Sequence, residues 1–212
     1  MKDDIRIVVL DKGFIFCGEY EQRGDRILVR RAVNIKKYGT EKGLGSLRAD
    51  PESPTLNAWG IIDAPKKSEI LTIYCNKEKW EPHLIPVVQD DKEFRYIDEQ
   101  TDDPSKERQD MRIVILDKGF VVAGDYEHIG DRIVVDNCVN LRRYGTEEGI
   151  GYLRNDPSPA DLDNWGLVDA PHDAEIFTIY MDPVAWRPIM NGVAEEQETV
   201  MAESGSEEDV DL

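Results

Sequence analysis

Ile5-Arg6-Ile7-Val8-Val9-Leu10-Asp11-Lys12-Gly13-Phe14 returns further along the chain as Met111-Arg112-Ile113-Val114-Ile115-Leu116-Asp117-Lys118-Gly119-Phe120. The offset of 106 positions holds without insertion or deletion from Ile7 to Trp80, with about half of the positions identical. A repeat has to be recognised before any fold is assigned, because its period sets the size of the folding unit. Solenoid repeats are shorter than this one and need about three copies to bury a continuous core. A unit of some 80 residues is near the lower end of a self-sufficient domain. The expectation is therefore two tandem units, at 1–86 and 111–190, with a linker at 87–110 and a tail at 191–212.

Ile5 to Leu10 is a β-branched run closed by Asp11-Lys12-Gly13, which carries turn chemistry. Phe14 to Tyr20 and Arg26 to Val33 follow on either side of Arg23-Gly24-Asp25, so the first 33 residues predict a three-stranded meander. Thr40 is a candidate N-cap for one or two helical turns reaching Arg48, with Gly43 and Gly45 weakening that helix. Trp59 to Pro65 and Glu69 to Cys75 predict two more strands, and the unit closes near Trp80. Five strands and one short helix per unit imply a mainly β fold, a small β-barrel or rolled sheet, with α+β as the second choice. In the linker, Glu93-Phe94-Arg95-Tyr96-Ile97 is the one patch able to dock on a domain or add an edge strand. The tail from Ala194 has neither aromatic nor basic residues, a composition that predicts disorder.

Charge and reactive residues exclude more than they assign. The formal charge of −18 is uneven: residues 1–86 carry 15 Lys and Arg against 13 Asp and Glu, whereas residues 111–190 carry 7 against 14. So acidic a chain is a poor general nucleic-acid binder, since phosphate neutralisation by cations supplies most non-specific affinity. Solubility is the plain reading of the charge, and a basic partner the more pointed one. Cys17, Cys75 and Cys138 align with Ala123, Met181 and Ala32, which argues against a disulfide framework or a metal site and reads as core packing. His83, His128 and His172 likewise lack counterparts, so no histidine shared by the units serves as base or ligand. With no apolar run of membrane-spanning length and no leader-like N-terminus, a cytoplasmic protein is expected, with no cofactor, no metal and no membrane partner.

The sharpest shared motif is Lys36-Lys37-Tyr38-Gly39-Thr40 with Arg48, answered by Arg142-Arg143-Tyr144-Gly145-Thr146 with Arg154. A basic pair before a helix start, beside glycines that expose backbone N–H groups, suits an anion such as phosphate, and the tyrosines could stack on a base. It is neither a P-loop nor a dinucleotide fingerprint. The competing reading is a structural turn with solvated cations. The shared carboxylates Asp11/Asp117, Asp25/Asp131, Glu41/Glu147, Asp50/Asp156, Asp63/Asp169 and Glu69/Glu175 mostly flank Gly or Pro and read as turn caps. Trp59/Trp165 and Trp80/Trp186 read as core, with an exposed Trp59 beside the basic turn as the exception that would make a stacking wall.

The Arg-Ile-Val-Val-Leu-Asp-Lys-Gly-Phe opening, the basic-Tyr-Gly-Thr turn and the Trp-Gly…Asp-Ala-Pro segment resemble a small uncharacterised domain family of bacteriophages and prophages. The resemblance covers both units and neither linker nor tail, and it supplies no catalytic residues. It implies a phage setting, in the host cytoplasm, where accessory proteins bind a host protein or sequester a signalling molecule. The leading expectation is thus a non-enzymatic binding protein, acting on a host protein or a small nucleotide-like anion to inhibit host defence. The alternative is a virion or assembly protein built as a fused pseudo-dimer with self-complementary surfaces, itself able to form a homo-oligomer. A metal-dependent phosphohydrolase, which needs the shared aspartates to converge, is the third reading.

Overall fold

The structure is a computed structural model that describes residues 4–39, 43–49, 51, 54–86 and 110–205. The first half forms β1 (Ile5–Leu10), β2 (Ile15–Arg23), β3 (Arg26–Lys37), β4 (Thr55–Pro65), β5 (Glu69–Tyr74) and a short helix α1 (Lys77–Trp80). The second half forms β6 (Met111–Leu116), β7 (Val121–Ile129), β8 (Arg132–Arg143), β9 (Asp161–Pro171), β10 (Glu175–Tyr180) and a long helix α2 (Pro183–Gly205). All ten strands join one antiparallel sheet in the order β5-β1-β2-β3-β4-β10-β6-β7-β8-β9. The mainly β expectation holds at this level, but the sheet is open and not a closed barrel.

Registers repeat with the sequence. Ile7 lies opposite Cys17 in β2 and Ile73 in β5, and Ile113 lies opposite Ala123 in β7 and Ile179 in β10. Each long hairpin is broken by a bulge, where Arg31 (φ 53°) and Asn137 (φ 48°) adopt left-handed backbone. Such bulges bend the strand and raise its twist. β1 and β6 carry apolar side chains on both faces because an apolar cluster lies on each side of the sheet where they run.

The expected helix at the basic turn is a five-residue 3-10 turn, Leu44–Arg48 in the first half and Ile150–Arg154 in the second. Gly43 (φ 74°) and Gly149 (φ 80°) precede each turn, and that backbone cannot continue a helix begun at the threonine. Thr40 lies outside the described residues; Thr146 Oγ accepts from the Glu148 N–H, closing a local turn. Helix α2 runs to Gly205, through much of the tail whose composition predicts disorder. Trp186 and Met190 anchor its first turns in the core, and Glu, Gln and Ala carry the helix onward with good propensity. The aromatic patch around Phe94 is outside the described residues, and no described helix is long and apolar enough to cross a membrane.

Apolar side chains gather in three clusters. One face of the first half packs Ile7, Cys17, Val33, Leu47 and Trp80, and the Trp80 indole donates to the Leu47 carbonyl at 2.8 Å. The matching face of the second half, with Ile113, Ala123, Val139, Leu153 and Trp186, merges with the opposite face of the first half, with Val8, Phe16, Val29, Trp59 and Ile62, into the largest cluster. The remaining face of the second half, around Val114, Val122 and Val135, forms the smallest one. The two halves therefore share a core.

Candidate functional site at the junction of the halves

Strand β4 of the first half pairs with β10 of the second through Ile62–Ile179 and Asp63–Thr178. Around this short pairing lies a group of buried charges. Asp63 Oδ1 accepts from Arg26 Nε at 2.7 Å and its Oδ2 from Arg112 Nη1 at 2.7 Å. Arg26 Nη2 reaches Glu175 Oε1 at 2.7 Å, and the Tyr126 hydroxyl donates to Glu175 Oε2 at 2.8 Å. The Arg112 guanidinium is stacked between the Tyr126 and Tyr180 rings, 4.3 Å from each centroid, and donates to Asp110 and the Tyr180 hydroxyl at 2.8 Å. Burial alone would push the Asp63 carboxyl up, but Arg112 and Arg26 outweigh it and hold the group below the usual carboxylate range. The Tyr126 hydroxyl is raised by burial first and by Glu175 second. Each charge is met by an opposite one, so the group holds the two halves in register and offers no poised nucleophile or base. A cleft of about 530 Å³ opens beside it, and Asp110, Asp125, Glu127 and Asp136 make its walls acidic.

The same junction explains two shared residues that sequence leaves ambiguous. Trp59 is 4% exposed and lies flat on Gly151, where an added Cβ would fall 2.2 Å from the indole. The buried Arg154 guanidinium covers Gly60, 2.2 Å from where a Cβ would stand. Phe177 of β10 enters a nest of Phe14, Phe16 and Trp59, with ring centroids 4.7–6.1 Å away. Lys67 bonds Asp173, and Lys12 reaches Asp117 at 3.0 Å. Trp59 is therefore core as expected; its counterpart Trp165 is the exposed one, at 43%, beside Phe120.

The basic turns meet different fates. Lys36 Nζ donates to the Glu147 carbonyl at 2.8 Å, and Asn57 to the Glu148 carbonyl at 2.7 Å, so the first basic turn abuts the second half. Lys37 and Arg48 are exposed, Tyr38 is half exposed, and Gly39 takes φ 63°. In the second half, Arg142 is engaged by Asp161 at 2.7 Å and Asp163 at 3.3 Å, whereas Arg143 and Tyr144 face solvent and Gly145 (φ 62°) abuts the Pro159 backbone. Arg154 is drawn away from its turn into the junction. Of the shared carboxylates, Asp11, Asp117 and Asp156 do accept local backbone N–H groups as turn caps. Asp63 and Glu175 do not, and with Arg26 and Arg112 they are the residues that sequence reading missed. A charged side chain inside the apolar run Ile61-Ile62-Asp63-Ala64 was the available signal, because burial there demands a partner. Comparison between units also hid the contact of His128 with His172, whose rings stack at 4.3 Å although neither aligns with a histidine. Among the described residues no three His, Cys, Asp or Glu side chains gather as metal ligands would.

Comparison of the chain with protein-family models, curated proteins and solved structures gives no match.

Proposed function

We propose that this chain acts by association and not by catalysis, as a non-enzymatic binding module whose recognition surface is the outer flank of the second half. One observation carries the reading: Trp59 to Pro65 of β4 are buried throughout, whereas the equivalent Trp165, Gly166, Leu167 and Asp169 of β9 lie open, with Phe120 half exposed beside them. A cluster of large apolar side chains bordered by an acidic cleft is the usual composition of a protein-binding surface. The surface fits a protein partner with basic residues around an apolar anchor, either a host protein, in the phage setting that the sequence resemblance implies, or another copy of this chain. A small nucleotide-like anion draws less support, because Lys36, Arg142 and Arg154 are already engaged within the fold. The assembly alternative loses its fused pseudo-dimer form, because the halves meet through unlike surfaces, β4 against β10, and not through a self-complementary contact; a heterologous contact suits open assembly instead.

A photo-cross-linking residue placed at Leu167 of the full chain, in the cells that produce it, should yield discrete protein adducts. The same residue at Val184, which is still more exposed, should not. Equal labelling at both positions removes the reading, and calorimetric titration with nucleotides tests the small-anion alternative in parallel.

A further inference from the structure

We infer that the partner of the β9 flank is a second copy of this chain, docked by its β5 edge, so that molecules add head to tail in the same geometry that joins the two halves. The inference rests on the association reading above and names its partner. Because the internal contact is heterologous, each molecule retains one unused half of it at either end of the sheet: β9 presents what β4 presents, and β5 presents what β10 presents.

The unused halves remain complementary. At the junction, Phe177 fills the nest of Phe14, Phe16 and Trp59; at the ends, its counterpart Leu71 is 45% exposed and Phe120 and Trp165 stand open around Val122. Trp59 needs a glycine beneath it, Gly151; Trp165 would rest on Gly45, an exposed glycine with ordinary backbone and no described atom within 4 Å of its absent Cβ. Arg154 covers Gly60; Arg48 is exposed and nothing described covers Gly166. Charges match as well. The junction pairs Arg112–Asp63, Arg26–Glu175 and Lys12–Asp117 become Arg6–Asp169, Arg132–Glu69 and Lys118–Asp11 between molecules, every one of opposite sign, with Asp169 held by Arg132 and Glu69 by Lys66 in the single chain. Arg6 is already stacked between Tyr20 and Tyr74, 4.3 and 4.2 Å from their centroids, as Arg112 is between Tyr126 and Tyr180; its Nη2 donates to Asp4, and among the described residues its buried Nε has no hydrogen-bond partner. Edge strands normally carry devices against such pairing; here β5 offers Ile70, Leu71 and Tyr74 to solvent. Shifting the internal register by one half predicts Thr72 opposite Asp169 and Ile73 opposite Val168 of the neighbour.

Sedimentation velocity of the full chain up to ~1 mM, the effective concentration a short tether gives a linked partner, tests this. Wild type should grow in mass with concentration, as a ring or as an open series. Trp165→Arg and Leu71→Arg, both on exposed side chains, should each keep the wild-type circular dichroism and remain monomeric, and mixed together they should form a one-to-one dimer that grows no further. A wild type that stays monomeric, single variants that still assemble, or a mixture that fails to dimerise overturns the inference. Leu71→Arg leaves the β9 flank intact, so unchanged adducts at position 167 in that variant mean that the association reading stands while the self-assembly inference falls.

Discussion

At the scale of single residues, identical side chains carry different duties according to which half holds them. Gly151 lies under the Trp59 indole, so Gly151→Ala forces a Cβ into a ring that cannot retreat; a loss of about 2 kcal/mol is expected in denaturant unfolding, as for other overpacked cores. Gly45→Ala has open space above it and should leave the stability of the monomer unchanged within about 0.5 kcal/mol. Asp63 is the anchor for two arginines, and Asp63→Asn removes the carboxylate they share, leaving Arg112 to Asp110 and Arg26 to Glu175, a change expected to cost about 3 kcal/mol for loss of one partner of a buried pair. Its folded-state pKa lies below the ordinary value of 3.8. The stability it confers is therefore full above about pH 4 and lost as pH falls through the folded value, so wild type should weaken more steeply in acid than the Asn variant, read as unfolding midpoint against pH.

Elements of the same sequence likewise diverge once placed. Strands β5 and β10 read Glu-Ile-Leu-Thr-Ile-Tyr and Glu-Ile-Phe-Thr-Ile-Tyr, yet the first is a sheet edge and the second is paired on both sides. Amide hydrogen exchange of dilute protein should find β10 protected along its β6 side and also at the Thr178–Ile179 pairing with β4, and β5 along its β1 side only. The turn between β9 and β10 carries a second pH signature. His172 is held below its ordinary 6.5 by burial, with Glu175 opposing and His128, Lys67 and Arg26 reinforcing. Stability from its neutral form is complete above that value and declines as pH drops through the window beneath it, so His172→Gln should flatten the fall in melting temperature between about pH 6.5 and 5.

For the whole molecule, the shared core makes the two halves one cooperative unit. The largest cluster draws Phe16, Trp59 and Ile62 from the first half and Ile113, Phe177 and Trp186 from the second, so neither half closes its core alone. Calorimetry should show one transition with equal calorimetric and van't Hoff enthalpies, where two independent tandem domains would give two. The acidity of the second half also finds a place: Asp110, Asp125, Glu127 and Asp136 line the cleft beside Arg112 and set the electrostatic character of the exposed flank.

The strands of each half, the meander of the first three and the repeat that matches the halves are legible in the sequence, because alternation, turn glycines and β-branched runs are local signals; the return of β5 to the far side of β1 is not. Sequence also identified Trp59, Trp80 and Trp186, but not Trp165, as packing residues and the cysteines as small apolar ones, though Cys75 is only half buried. Which of two matching segments is core and which is surface, as with Trp59 and Trp165, is set by tertiary structure, since burial depends on what lies across the sheet and no local pattern encodes that. Tertiary structure also turned Asp63 from an expected turn cap into a buried anchor and drew Arg154 out of a basic turn to cover Gly60. A heterologous contact makes equal sequences unequal: each surface is satisfied once within the chain and left open once at its ends.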